Sequence, residues 1–222
     1  MKPNRTIIYY SSNRDSKEFE KAITDDLLSK IGDLPLISVT QKTMKIGKNI
    51  CVGDVGQSYI NIMRQFFIGI QEAKTKYIVC AESDFLYDKE YFKFTPEHDG
   101  IHRHSNVWVL HTFLKEDGFG KKGVSEGAQI CDRETLLKRL EVYLEHLPKW
   151  FDGDWEPFRT LRMRPPFHRF PVTTFETKYP CLTIKTGKGM RKYTALLGEP
   201  KVKELPFWGT EQDVRERLKC TI

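Results

Sequence analysis

Glu82 and Asp84, one residue apart at the end of the apolar run Tyr77-Ile78-Val79-Cys80-Ala81, have the types and spacing to hold a divalent cation. Side chains alternate along an extended segment, so positions 82 and 84 are expected on one side, with Ser83 pointing away. Two carboxylates at a strand's exit offer hard oxygen ligands suited to magnesium or manganese. They also leave coordination positions open for phosphate oxygens. An isolated Glu-x-Asp is more often a solvated acidic turn after a buried strand, and its surroundings must decide between the two.

A sheet has to carry those acids to the mouth of a site. Thr6-Ile7-Ile8-Tyr9-Tyr10 reads as a buried first strand, closed by the polar loop Ser11-Ser12-Asn13-Arg14. Asp15-Ser16-Lys17-Glu18 resembles a capping box, and Phe19, Ala22, Ile23, Leu27, Leu28 and Ile31 then recur at helical spacing. Leu34 to Val39 predicts a second strand, and Gln41 to Gly56 a loop. Tyr59, Ile62, Met63, Phe66, Phe67 and Ile70 form one apolar stripe, a helix leading into the acid-bearing strand. This β-α-β-α-β order predicts an α/β fold, a mostly parallel twisted sheet flanked by helices.

The second half is less regular. Asn106 to His111 reads as a strand, 112–125 as a loop rich in Gly and Lys, and Leu136 to Leu147 as a helix capped by Asp132 and closed by Pro148. A turn-like stretch follows at 151–157, then a basic, proline-broken loop at 159–169, a late strand at 179–184 and a short helix from Thr210. His102 and His104 fall on an expected loop and read as solvated; Trp108 and Phe113 read as core or pocket wall.

No repeat, low-complexity tract or linker divides the 222 residues, so a single domain with a sizeable core is expected. The formal charge of +6 fits an anionic partner such as a nucleotide or nucleic acid. Five scattered cysteines without a Cys-x-x-Cys pair argue against a disulfide scaffold and for a reducing compartment. Neither a signal-peptide pattern nor an apolar run near the roughly 18 residues of a membrane span is seen, so a cytoplasmic protein is expected.

The ordered set of segments resembles the GT-A type of nucleotide-sugar glycosyltransferase, in particular small single-domain family-2-like members. It runs from the Tyr10-Ser11-Ser12-Asn13 loop through the helix 58–74 to Cys80-Ala81-Glu82-Ser83-Asp84-Phe85-Leu86-Tyr87. Tyr91-Phe92-x-Phe94-Thr95-Pro96, Asn106-Val107-Trp108, Gly127-Ala128-Gln129 and Asp132-Arg133-Glu134-x-Leu136-Leu137 follow. Ile184-Lys185-Thr186-Gly187 and Leu205-Pro206-Phe207-Trp208-Gly209 complete the set. Where many relatives carry a further metal-binding His, this chain has Thr186 among cationic residues. Either the cation has fewer protein ligands, or those side chains share its neutralising role.

The resemblance implies a nucleotide-binding half, 1–100, and an acceptor-binding half, 101–222. It implies a nucleotide-sugar donor, a UDP-sugar foremost, whose departing diphosphate is stabilised by Mn2+ or Mg2+ on Asp84 and Glu82. Tyr10, Ser11, Ser12 and Asn13 would cradle the nucleoside beside Ser83, and Arg64 would reach ribose or phosphate or make a surface salt bridge. Lys185, Lys188 and Arg191, with Gly187 and Gly189 between them, would wrap the diphosphate or form a solvated basic loop. An inverting enzyme needs a base, for which Asp152 and Asp154 are candidates with Asp154 the first choice, and Glu126 is the second; each is otherwise a turn-forming acid. Arg159, Arg162, Arg164 and Arg169, interleaved with Phe167 and Phe170, have the composition for nucleic-acid contact. Compact enzymes of this type in bacteriophages add sugars to hydroxymethylated pyrimidines in DNA, which makes double-stranded DNA an expected acceptor. A small molecule, a protein side chain or a glycan precursor stays open. A nucleotidyltransferase could use the same acids but would be expected to have a glycine-rich loop where Ser11-Ser12-Asn13-Arg14 stands. A non-catalytic nucleic-acid-binding module would leave Glu82 and Asp84 without purpose.

Overall fold

The computed structural model describes residues 4–114, 118–153, 171–187 and 201–219. Strand β1 (Arg5–Ser11) is buried at every position, as suits a strand paired on both sides and covered on both faces. It runs parallel to β2 (Leu36–Thr40), and β3 (Lys48–Cys51) runs parallel to β2 at the edge. The expected loop 41–56 therefore contains a strand, half-exposed and without the apolar run that would have marked it. On its other side β1 pairs in parallel with β4 (Tyr77–Glu82). Beyond β4 lie β9 (Gln129–Asp132), β6 (Ile101–His104) and β10 (Val172–Phe175). The seven-stranded order is β10-β6-β9-β4-β1-β2-β3, with β9 antiparallel to both its neighbours and the remaining pairs parallel.

Alternation along β1 assigns the two faces of this sheet. Ile7 and Tyr9 pack with Phe19, Ile23 and Leu27 of α1 (Lys17–Ile31). Ile8 and Tyr10 pack with Ile60, Met63, Phe66 and Ile70 of α2 (Tyr59–Glu72) on the opposite face. Helix α2 can lie close because residue 69 is glycine: a Cβ there would stand 2.5 Å from Ile8 Cγ2. After a short α3 (Lys89–Lys93), α4 (Arg133–Leu144) joins the α2 face through Leu136 and Leu140. Asp132 caps α4 as expected, accepting from Thr135 N at 2.9 Å. Helix α1 is capped by Ser16, which accepts from Phe19 N at 3.2 Å, and not by the Asp15–Glu18 box.

A second, five-stranded sheet abuts the α1 face: β5 (Phe85–Leu86), β7 (Val107–His111), β8 (Phe119–Gly123), β11 (Cys181–Lys185) and β12 (Lys201–Val202), in the order β12-β8-β7-β11-β5. Among the described residues its one parallel pair joins β7 to β11 and sets His111 beside Lys185. The ribbon β13 (Glu204–Leu205) with β14 (Gly209–Thr210), then α5 (Glu211–Leu218) behind a reciprocal Thr210–Asp213 capping box, ends the described chain. His102 and His104 correct the sequence reading. They lie in β6, 4% and 0% exposed, because that strand runs inside the sheet between β9 and β10. Among the described residues, no helix is long and apolar enough to cross a membrane.

Candidate functional site

Ligands of parallel α/β sheets bind at the carboxyl ends of the strands. Here β1 ends in Tyr10 and Ser11, β4 in Glu82, and β11 of the second sheet in Lys185. With Ser12, Ser83, Asp84 and Thr186 they line one cleft of about 510 Å³. That volume is ample for a small organic ligand. The first turn of α2, with Ser58 and Tyr59, forms another wall, and Arg103 of β6 and Lys122 of β8 complete it.

Glu82 and Asp84 both border this cleft. Ser83 borders it too, because β4 stops at Glu82 and a turn, not continued strand alternation, carries the chain into β5. Tyr10 donates its hydroxyl to Glu82 Oε1 at 2.7 Å. Glycine at 127 lets the chain pack closely here, since a Cβ would stand 2.8 Å from Glu82 Cδ and 2.5 Å from the Phe85 ring and would force them to shift. Burial, and then the charge of Asp84, push the Glu82 carboxyl above its ordinary pKa, while Lys122 and Lys185 oppose the shift.

Asp84 is held at two points: its carbonyl accepts from Ile184 N at 2.7 Å, and its Oδ2 accepts from Lys185 Nζ at 2.5 Å. Its Oδ1 is buried, with no hydrogen-bond partner among the described residues. A divalent cation held by this pair would give Asp84 Oδ1 a partner and offset the Asp84 charge that, after burial, raises Glu82. The donor chemistry of the pair therefore fits a hard-oxygen cation site with two protein carboxylates. Among the described residues, no group of three or more His, Cys, Asp or Glu could hold a metal on its own.

Other expected residues divide. Ser11 and Ser12 line the cleft, whereas Asn13 turns inward: its Nδ2 donates to both Glu20 oxygens at 3.1 Å and its Oδ1 accepts from Lys42 N. Arg64 lies outside the cleft. Its guanidinium donates to the carbonyls of Leu144, Leu147, Pro148 and Lys149, where it closes the end of α4. Glu126 lines the cleft with both oxygens engaged, Oε1 by Arg103 at 2.8 Å and Oε2 by the Tyr59 hydroxyl at 2.6 Å. Asp152 is exposed, against Gly56 and Gln57 at the rim, and accepts from Gln57 N at 3.4 Å. Asp154, Arg159, Arg162, Arg164, Arg169, Lys188 and Arg191 lie outside the described residues.

Of the acidic and basic side chains lining the cleft, four were missed: Asp15, Arg103, His111 and Lys122. His111 was legible in principle, as the last residue of an expected strand. Its buried Nε2 has no hydrogen-bond partner among the described residues, and burial lowers its pKa, with Lys185 and Lys201 adding to the shift. Asp15 bonds Thr186, so the residue standing where a metal-binding His was looked for ties the basic strand to the entrance of α1.

No family model matches the chain, and no curated protein matches it in sequence. Its fold is similar to that of S. aureus TarS residues 1–349, with a TM-score of 0.50 at 8% identity over 82% of this chain and 60% of that one. The same segment in complex with UDP-GlcNAc gives 0.49 at 8% identity, over 83% of this chain and 59% of that one. A glycosyltransferase involved in glycosylation of the major capsid of PBCV-1 gives 0.47 at 10% identity, over 78% and 82%. The inositol-1-phosphate CTP transferase of T. maritima gives 0.47 at 12% identity, over 85% and 92%. The chain spans about three fifths of the TarS segment. The likeness is one of fold: a mixed α/β domain, its central sheet flanked by helices, of the GT-A-like kind.

Proposed function

We propose that the cleft binds a nucleoside diphosphate sugar and transfers the sugar to an acceptor hydroxyl. The observation that carries this reading is the convergence of Glu82, Asp84 and Lys185 at the carboxyl edge of a parallel sheet, in a cleft of about 510 Å³. Ser11 and Ser12 take the nucleoside side, at the end of β1. Lys185 and Lys122 set positive charge where the leaving diphosphate gains negative charge, a preorganised contribution of the kind that dominates such reactions. A Mn2+ or Mg2+ ion held by Asp84 and Glu82 would add Lewis-acid stabilisation of the same phosphate oxygens. On the acceptor side, Arg103 and Tyr59 hold Glu126 in place, which suits a positioning residue better than a base. Asp152 at the rim, and Asp154 two residues on in the sequence, remain the proposed bases. Residues 1–100 supply most of the donor side and 101–222 most of the acceptor side.

The acceptor we propose is a hydroxymethylated pyrimidine in double-stranded DNA, supported by the +6 charge and the Arg159–Arg169 stretch. The test is transfer of radiolabelled sugar from UDP-, GDP- and CMP-sugars onto duplex DNA with and without hydroxymethylcytosine. Label on the modified duplex alone is the expected result. Release of nucleotide with no label on either duplex removes the DNA acceptor, and no release from any donor removes sugar transfer. A parallel incubation with nucleoside triphosphates and sugar phosphates reads pyrophosphate release, which would instead favour nucleotidyl transfer.

A further inference from the structure

Lys185 occupies the acid that the proposed donor site needs. Its Nζ lies 2.5 Å from Asp84 Oδ2, and the two side chains are only 18% and 23% exposed, so solvent screens the pair weakly. The contact is not an accident of a flexible side chain on a loop. Lys185 ends β11, and the preceding residue, Ile184, donates its N–H to the Asp84 carbonyl at 2.7 Å, which fixes the two backbones against each other. Asp84 is thus half engaged, with Oδ2 on the ammonium and Oδ1 buried without a hydrogen-bond partner among the described residues. A divalent cation approaching Oδ1 meets that ammonium as a like charge across one carboxylate.

We propose that Lys185 is a placeholder cation. In the unliganded protein it neutralises Asp84 and keeps the Glu82–Asp84 pair a poor divalent-cation site. A bound diphosphate offers the ammonium a stronger anionic partner, draws it off Asp84 and hands the carboxylate to the metal. Metal and nucleotide then bind weakly alone and tightly together, each raising the affinity of the other by the same factor. No covalent step is involved; one ammonium changes partner. This inference rests on the nucleotide-sugar reading of the cleft, and the coupling it describes runs through one side chain.

Any metal bridging protein and phosphate gives some positive coupling, so the decisive quantity is the metal affinity of the nucleotide-free protein. Free Mn2+ is measured by its electron paramagnetic resonance signal for wild type, Lys185→Met, Lys185→Arg and Asp84→Asn. Each is titrated with MnCl2 alone and with UDP, GDP or CDP present. Lys185→Met is expected to bind Mn2+ alone roughly tenfold more tightly than wild type, and to lose a similar factor from the enhancement by nucleotide. Lys185→Arg keeps the charge and should stay as weak as wild type, and Asp84→Asn should bind little Mn2+ in either state. Nucleotide-free Lys185→Met binding Mn2+ no better than wild type overturns the placeholder role. Failure of every nucleoside diphosphate to bind either protein, with or without Mn2+, overturns the nucleotide-sugar reading and the coupling with it. Lysine's hold on Asp84 is then read separately from the titrations with Mn2+ alone.

Discussion

Glu82 and Asp84 share a turn but not a partner: Tyr10 bonds the first, Lys185 the second. Asp84→Asn removes the anion that would hold the cation and is expected to lower nucleotide-sugar turnover on the order of 10²-fold, the scale of losing one preorganised electrostatic group. Steady-state assays of nucleoside diphosphate release check it. Gly127→Ala sets a methyl group 2.8 Å from Glu82 Cδ and 2.5 Å from the Phe85 ring, so one of the two must move. It should weaken Mn2+ and nucleotide binding while the circular dichroism spectrum stays that of the wild type; binding at wild-type strength would separate Glu82 from the donor site. The two acids were legible because an apolar run followed by Glu-x-Asp is local. Their cationic partner was not, since Lys185 stands 101 residues from Asp84 and only the meeting of β11 with the β4–β5 turn joins them.

Elements with strong periodicity followed the sequence closely: β1, β4 and β11 as buried runs, α1, α2 and α4 as apolar stripes. Strands β3, β6 and β8 did not announce themselves, because Lys, Asn, His and Gly fill them and only their neighbours in the sheets make them strands. Arg64 shows the same limit in a helix. A cation on the flank of an apolar stripe looks free for a ligand until α4 ends beside it and supplies four carbonyls. Asn61, one turn away, does position the site. Its amide donates to Val55 O, Gly56 O and Phe151 O and accepts from Phe151 N, so it ties the cleft loop to the segment that carries Asp152. Asn61→Ala leaves buried carbonyls unsatisfied and should cost about 1–3 kcal/mol of stability by urea denaturation. In β6, burial lowers the pKa of His104 below its ordinary 6.5. The unfolded chain then binds the extra proton first, so stability is lost as pH falls below 6.5. His104→Asn should lose less stability than wild type between pH about 7.5 and about 5, read as the change in Tm.

On the scale of the molecule, the cleft exists because two sheets end at the same place. The seven-stranded sheet presents Tyr10, Ser11 and Glu82; the five-stranded one presents His111 and Lys185; helix α2 closes the side between them. A mostly parallel central sheet was legible from the β-α-β-α-β order, but the second sheet was not. It pairs β5 with β11 and β12 with β8, contacts between segments far apart in sequence. That second sheet is what brings Lys185 to the acids, so the proposed donor site is a property of the assembled domain and not of the Glu82–Asp84 turn alone. The most direct measurement is isothermal titration of the whole chain with UDP-, GDP- and CMP-sugars in the presence of Mn2+, for wild type and Asp84→Asn. The account predicts saturable one-site binding of one nucleotide class to wild type, and roughly tenfold or greater weakening in Asp84→Asn. Heat of binding from none of the three classes, or equal affinity in the two proteins, would contradict it.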